Sequence, residues 1–97
     1  MTIARVIILK TPDKKFSDAE RIWKSQCAPL MRRQKGCRLE KFMRSTDQAD
    51  LYISYSEWDS MADIDRYRTS TEHQTIQSET RALQGSRAVV WTYEILE

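Results

Sequence analysis

From Ile3 to Lys10 the chain sets Ala4, Val6 and Ile8 against Ile3, Ile7 and Leu9, a two-residue repeat that predicts a strand with both faces needing cover. Thr11-Pro12-Asp13 ends it. After Phe16 the period becomes helical, with Ala19, Ile22, Trp23, Cys27, Leu30 and Met31 on one broad side. Ser17 and Glu20 have the spacing of a capping box, which satisfies orphan backbone donors at a helix start. Pro29 has no N–H to offer the carbonyl of Ser25, so a kink or break is expected there. Arg32, Arg33 and Lys35 lie just before Gly36, where cations oppose the negative end of a helix and glycine makes the left-handed exit.

The strand pattern returns from Arg38 to Ser45, where Leu39, Lys41 and Met43 alternate with Glu40, Phe42 and Arg44, polar enough for a sheet edge. A short turn leads into Leu51 to Trp58, with Leu51, Ile53 and Tyr55 on one face and Tyr52, Ser54, Ser56 and Trp58 on the other. Ser60 and Asp63 repeat the capping spacing ahead of Met61, Ile64 and Tyr67, a short amphipathic helix. Its period lapses over Arg68-Thr69-Ser70. Thr71 and Gln74 form a third candidate box, and Ile76, Thr80 and Leu83 continue a helix to Gly85. Ala88 to Leu96 is the last strand, apolar on both faces through Val89, Trp91, Tyr93 and Ile95 and through Val90 and Leu96.

Strand, helix, strand, strand, helix pair, strand is the ferredoxin-like βαββαβ order, an α+β fold with an antiparallel sheet and its helices on one face. It puts the first and last strands at or beside the sheet centre. The uncovered face is apolar, and a second copy of the same sheet is the simplest cover, so a homodimer through the sheet face is expected.

A chain of 97 residues is sized for one domain, and about a third or more of its unfolded surface stays exposed if it folds alone. Hydrophobic residues at 40% and charged residues at 31% exclude a disordered chain. The net charge of +2 gives no case for nucleic acid or an anionic membrane, and no Lys/Arg-Gly-aromatic signature of an RNA-binding sheet occurs. The first apolar run is too short for a secretory signal or a membrane span, so a cytoplasmic setting with Cys27 and Cys37 reduced is expected. Neither cysteine has a CxxC companion or a nearby histidine; no metal site is expected, and Cys27 reads as apolar filling on its helix. Both glycines sit at helix exits, which leaves no Gly-rich phosphate loop.

Lys35-Gly36-Cys37, a hairpin, Glu57-Trp58-Asp59-Ser60, then Tyr67, Ser70 and Glu72-His73 resemble the antibiotic biosynthesis monooxygenase family. The resemblance implies a dimeric α+β barrel, two sheets packed face to face, with a pocket in each protomer between its helices and its own sheet. It also implies oxidation of small aromatic or quinol-type molecules by molecular oxygen with no cofactor, although members without an established reaction exist. Haem-degrading relatives use an Asn on the first strand and a Trp and a His on later helices. This chain has no asparagine and carries Tyr67 and Gln77 at the two helix positions, so haem chemistry is not expected.

A cofactor-free oxygenase needs a base, hydrogen bonds to a developing oxyanion and a dry pocket. His73, the one histidine, is the candidate base, and Tyr67, across the helix lapse at Ser70, is its candidate companion. Trp58, Tyr52, Trp23 and Met61 are candidate walls, and Arg5 or Arg87 can hold an anionic enolate. Each has a second reading. His73 also fits an ordinary first-turn helix residue, and Trp58 a packing anchor at the strand-to-helix corner. Trp23 also fits the core. A non-catalytic module that binds or senses a small apolar ligand on the same fold is the competing function.

Overall fold

A computed structural model describes residues 1–11, 16–81 and 87–97. The strands are β1 (Ile3–Lys10), β2 (Cys37–Arg44), β3 (Leu51–Trp58) and β4 (Arg87–Glu94). They form one antiparallel sheet in the order β2-β3-β1-β4. β1 is central and β4 lies beside it at the edge, where fewer neighbours cover its apolar residues. The helices are α1 (Phe16–Ile22), a π-helical turn at Trp23–Cys27, α2 (Ala28–Arg32), α3 (Met61–Arg68) and α4 (Thr71–Arg81). The end of α4 expected near Gly85 and the Pro12-Asp13 turn lie outside the described residues.

The register decides which residues meet the helices. Glu40 of β2 faces Ser56 of β3, Ser56 faces Arg5 of β1, and Arg5 faces Thr92 of β4, a row that crosses the whole sheet. With alternation, Ile3, Arg5, Ile7 and Leu9 share one face with Tyr52, Ser54, Ser56 and Trp58. That face packs on Ala19, Ile22, Trp23, Cys27, Met31, Ile64, Tyr67 and Ile76 from the helices to make the core. Cys27 is wholly buried there.

Three local expectations change. Ser17 lies inside α1 instead of capping it, and Glu20 turns to Tyr52, whose hydroxyl donates to Glu20 Oε2 at 2.8 Å, and to Arg44 at 3.2 Å. A sheet partner for Glu20 outcompetes the local box. At Pro29 the helix neither breaks nor stops: it widens, with the Ala28 N–H bonded to the Trp23 carbonyl five residues back. This wider turn shifts the hydrogen-bond register just before the proline, which then sits in the first turn of α2, where its missing N–H costs least. The third cap is Ser70, not Thr71: the Ser70 Oγ accepts from the His73 N–H at 3.2 Å.

Two other devices hold as expected. Ser60 Oγ accepts from the Asp63 N–H at 3.2 Å and opens α3. Gly36 has φ +88, and a Cβ there would stand 2.3 Å from the Asp63 carboxylate, so the chain enters β2 against the first turn of α3 with no room for a side chain.

Candidate functional site

Ser70 is the hinge of the site. It ends α3 through its N–H to the Tyr67 carbonyl, 3.0 Å, and caps α4 through the His73 N–H. Two short helices therefore meet at an angle set by one residue, with Tyr67 on the last turn of the first and His73 on the first turn of the second. Their rings meet edge to face at 5.0 Å between centroids. On its other side Tyr67 stacks on Trp58 at 5.3 Å, and Arg5 lies over the Tyr67 ring at 5.6 Å. The site is thus built from β1, the end of β3, and the α3–α4 corner.

Trp58 is fully buried at that corner, with its indole N–H donating to Ser56 Oγ at 2.8 Å, while Ser56 in turn donates to the Arg5 carbonyl at 3.4 Å. Burial pushes the Tyr67 phenol above its ordinary range, an effect that Arg5 opposes. At neutral pH it is a neutral hydroxyl, a hydrogen-bond donor. Burial, followed by the charge of Arg5, holds the His73 imidazole below its ordinary value, against a backbone hydrogen bond with Arg68. A half-buried imidazole kept neutral has a free lone pair to accept a proton.

Arg5 itself is only 4% exposed, and burial lowers its pKa. Among the described residues no carboxylate forms an ion pair with it, and its Nε has no hydrogen-bond partner. A cation–π contact contributes on the order of 1–2 kcal/mol when desolvated. Burying an unpaired ion costs several kcal/mol, so the contact with Tyr67 does not offset the burial of Arg5. At the far end of the same polar row, Glu40 is also buried. Its Oε1 accepts from the Trp23 indole at 3.1 Å and from Ser54 at 3.0 Å, and Arg32 stands 3.6 Å from Oε2, which has no hydrogen bond.

The residues expected in the site separate into two groups and one outlier. Trp58, Tyr67 and His73 are in contact. Trp23 and Tyr52 belong to a second stack, bridged by Phe42 at 5.1 Å to each. Burial first, then Glu20, pushes the Tyr52 phenol up to about 12. Met61 is 41% exposed at the start of α3, away from both stacks. A cleft of about 690 Å³ opens beside the second stack, lined by Tyr52, Phe42, Glu20, Lys24 and Arg44 among others. The Arg87 side chain lies outside the described residues.

Sequence reasoning passed over Glu40 and gave Ser54 and Ser56 no role. The signal that could have found them is polarity at inward register positions: Arg5 between Ile3 and Ile7, and Ser54 and Ser56 between Tyr52 and Trp58. A buried face does not spend such positions on polar groups without partners or ligands for them.

Comparison with known proteins agrees with this architecture. The family model described as antibiotic biosynthesis monooxygenase matches residues 2–79. The chain is similar in structure to SnoaB, a cofactor-independent oxygenase from Streptomyces nogalater, at TM-score 0.86 and 16% identity, covering 99% of this chain and 94% of that one. It is also similar to Rv0793 from Mycobacterium tuberculosis, at TM-score 0.83 and 16% identity, covering 100% and 97%. At such identities the likeness is one of fold. Among curated proteins, none matches the chain by sequence.

Proposed function

Because this chain belongs to the antibiotic biosynthesis monooxygenase family, we propose that it is a cofactor-independent monooxygenase acting on a small aromatic or quinol-type molecule held between the helices and the sheet. The observation that carries the reading is the contact of a neutral, half-buried His73 with the ring of a buried Tyr67, backed by the buried Trp58.

In this mechanism His73 removes a proton from an activated methylene or hydroxyl group of the substrate. The resulting carbanion or its enolate is electron-rich enough to reduce oxygen, forming a carbon–oxygen bond to give a peroxide. Protonation and loss of water convert a CH₂ and one O₂ into a carbonyl and one H₂O. Tyr67, a neutral phenol, donates a hydrogen bond to the developing oxyanion, and Trp58 forms the wall behind it. The relative SnoaB is itself a cofactor-independent oxygenase, which supports this chemistry for the fold.

The same proposal includes a homodimer through the open sheet face, where Trp91 and Tyr93 are 54% and 55% exposed, with Val89 on the same strand and Met43 on the opposite edge of that face. Two such faces brought together would bury this apolar surface. Light scattering should give twice the 11.5 kDa chain mass; a clean monomer at micromolar concentration would remove the dimer from the proposal.

Oxygen uptake with a panel of anthrones and hydroquinones tests the reaction. Consumption of at least one compound is expected, with His73→Ala lowering the rate by about 10²–10⁴-fold, the usual contribution of a general base. A second reading, a module that binds a small ligand without turning it over, draws on the way the His73 and Tyr67 rings already engage one another. Ligands that bind but are never consumed, with His73→Ala leaving binding unchanged, would favour it.

A further inference from the structure

The Arg5 guanidinium is a buried cation that neither the packing nor the proton transfer above accounts for. It is nine-tenths or more buried, its Nε is without a hydrogen bond, and no described carboxylate stands within ion-pairing distance. Glu40, the acid in its own cross-sheet row, is two strands away and is answered by Arg32. A second copy docked on the open sheet face cannot supply the missing charge, because Arg5 shares the helix-facing side with Ile3 and Ile7.

The surroundings add positive potential instead of cancelling it: Arg68, at the end of α3, acts on both Arg5 and His73. Aromatic rings lie alongside: Tyr67 under the guanidinium, and Trp58 stacked on Tyr67. A planar fork of donors suits two oxygens of a carboxylate or the oxygen of an enolate or phenolate better than it suits water.

We propose that this interior binds a small aromatic oxyanion, with Arg5 pairing with the charge beside the Tyr67 ring. The inference rests on the reading of the helix–sheet interior as the ligand site, but it does not require turnover.

Thermal shift and calorimetric titration of the full chain test it with 2-naphthoate, with 4-nitrophenol at a pH where it is ionised, and with neutral 2-naphthamide. At least one anion should raise Tm by several degrees and bind about tenfold or more tighter than the amide, a difference of about 1.4 kcal/mol. Which anion does so separates a carboxylate ligand from a phenolate or enolate.

Arg5→Met should erase that preference and, in the free protein, should raise Tm, since it replaces an unpaired buried charge by an apolar chain of similar length. An amide that binds as well as both anions overturns the proposal, and this comparison needs no variant. Retention of the preference in Arg5→Met, or a free variant less stable than the wild type, overturns it as well. Anion binding without oxygen uptake would sink the monooxygenase reading alone, and oxygen uptake on neutral substrates only would sink this one alone.

Discussion

The two faces of the sheet reverse the usual division between inside and outside. Over β1 and β3 the helix-facing side is closed to solvent, yet Arg5, Ser54 and Ser56, with Glu40 of β2, are buried on it. The other side is open, yet Trp91, Tyr93, Val89 and Met43 stand half-exposed on it. Polar groups that lose water need partners, and large apolar groups that keep it gain by losing it. The first face therefore points to something small and polar inside, and the second to something large and apolar outside.

The sharpest way to break this contrast is to truncate one indole on each face. Trp58→Ala removes a fully buried ring and should cost about 3–5 kcal/mol in urea denaturation, with the same loss at every protein concentration. Trp91→Asp should leave the isolated fold nearly intact but convert dimers to monomers, so its loss of stability should grow with protein concentration. A wild-type midpoint independent of concentration, and a mass unchanged by Trp91→Asp, would mean that the open face is not an interface.

A smaller effect tests how the helix layer is fixed to the sheet. Gly36→Ala should cost about 1–2 kcal/mol from its left-handed backbone alone, and more from the collision with Asp63. Combining it with Asp63→Ala should relieve the collision with the carboxylate and leave the backbone part and the close approach to the Cβ of residue 63. If the two changes are simply additive in a double-mutant cycle, the close approach of Gly36 to α3 is not what positions that helix.

Ser70→Ala should cost about 1 kcal/mol, the usual value for a lost N-cap. Its value lies in a second readout. The cap orients the first turn of α4, so the His73 ring resonances should shift through loss of the Tyr67 ring beside them. Unchanged resonances would show that the two rings are held by something other than the Ser70 corner.

Most of the fold was legible because its signals are local or periodic. β1 and β3 were bounded to the residue by alternation and turns, and the Ser60 cap and the Gly36 exit by spacing. The failures share a physical cause, competition from partners distant in sequence. Glu20 has a cap within reach but finds Tyr52 and Arg44 across the fold. Pro29 must break an ideal α-helix, but the packed side of its helix stays continuous by widening one turn. In the candidate site, His73 and Tyr67 stood out by residue type and Arg5 as a holder of an enolate, while Glu40 was passed over; that Arg5 has no ion-pair partner among the described residues, and that Glu40 is buried against Trp23, Ser54 and Arg32, emerges only in three dimensions.

The smallest expected effect is the pH dependence of stability, and it too separates the two faces, because the groups with shifted values relevant to acid pH lie on the helix side. His73 titrates below its ordinary value when folded, so the unfolded chain takes up its proton first as pH falls. Its contribution is complete above the unfolded value near 6.5 and is lost as pH drops from there through the folded value. Asp63 is held below its ordinary value by Arg66 first, at 2.6 Å, and then by Ser60, so its contribution is complete above the ordinary carboxylate range and is lost as pH falls through its folded value. Two steps should therefore appear in denaturation midpoints on acidification, one beginning near neutrality and one in the carboxylate range. His73→Gln should remove the first and leave the second. An oxyanion bound at Arg5 would favour the protonated imidazole, raise the folded value of His73 and flatten the first step; a step of unchanged size in saturating 2-naphthoate would place any bound anion away from His73.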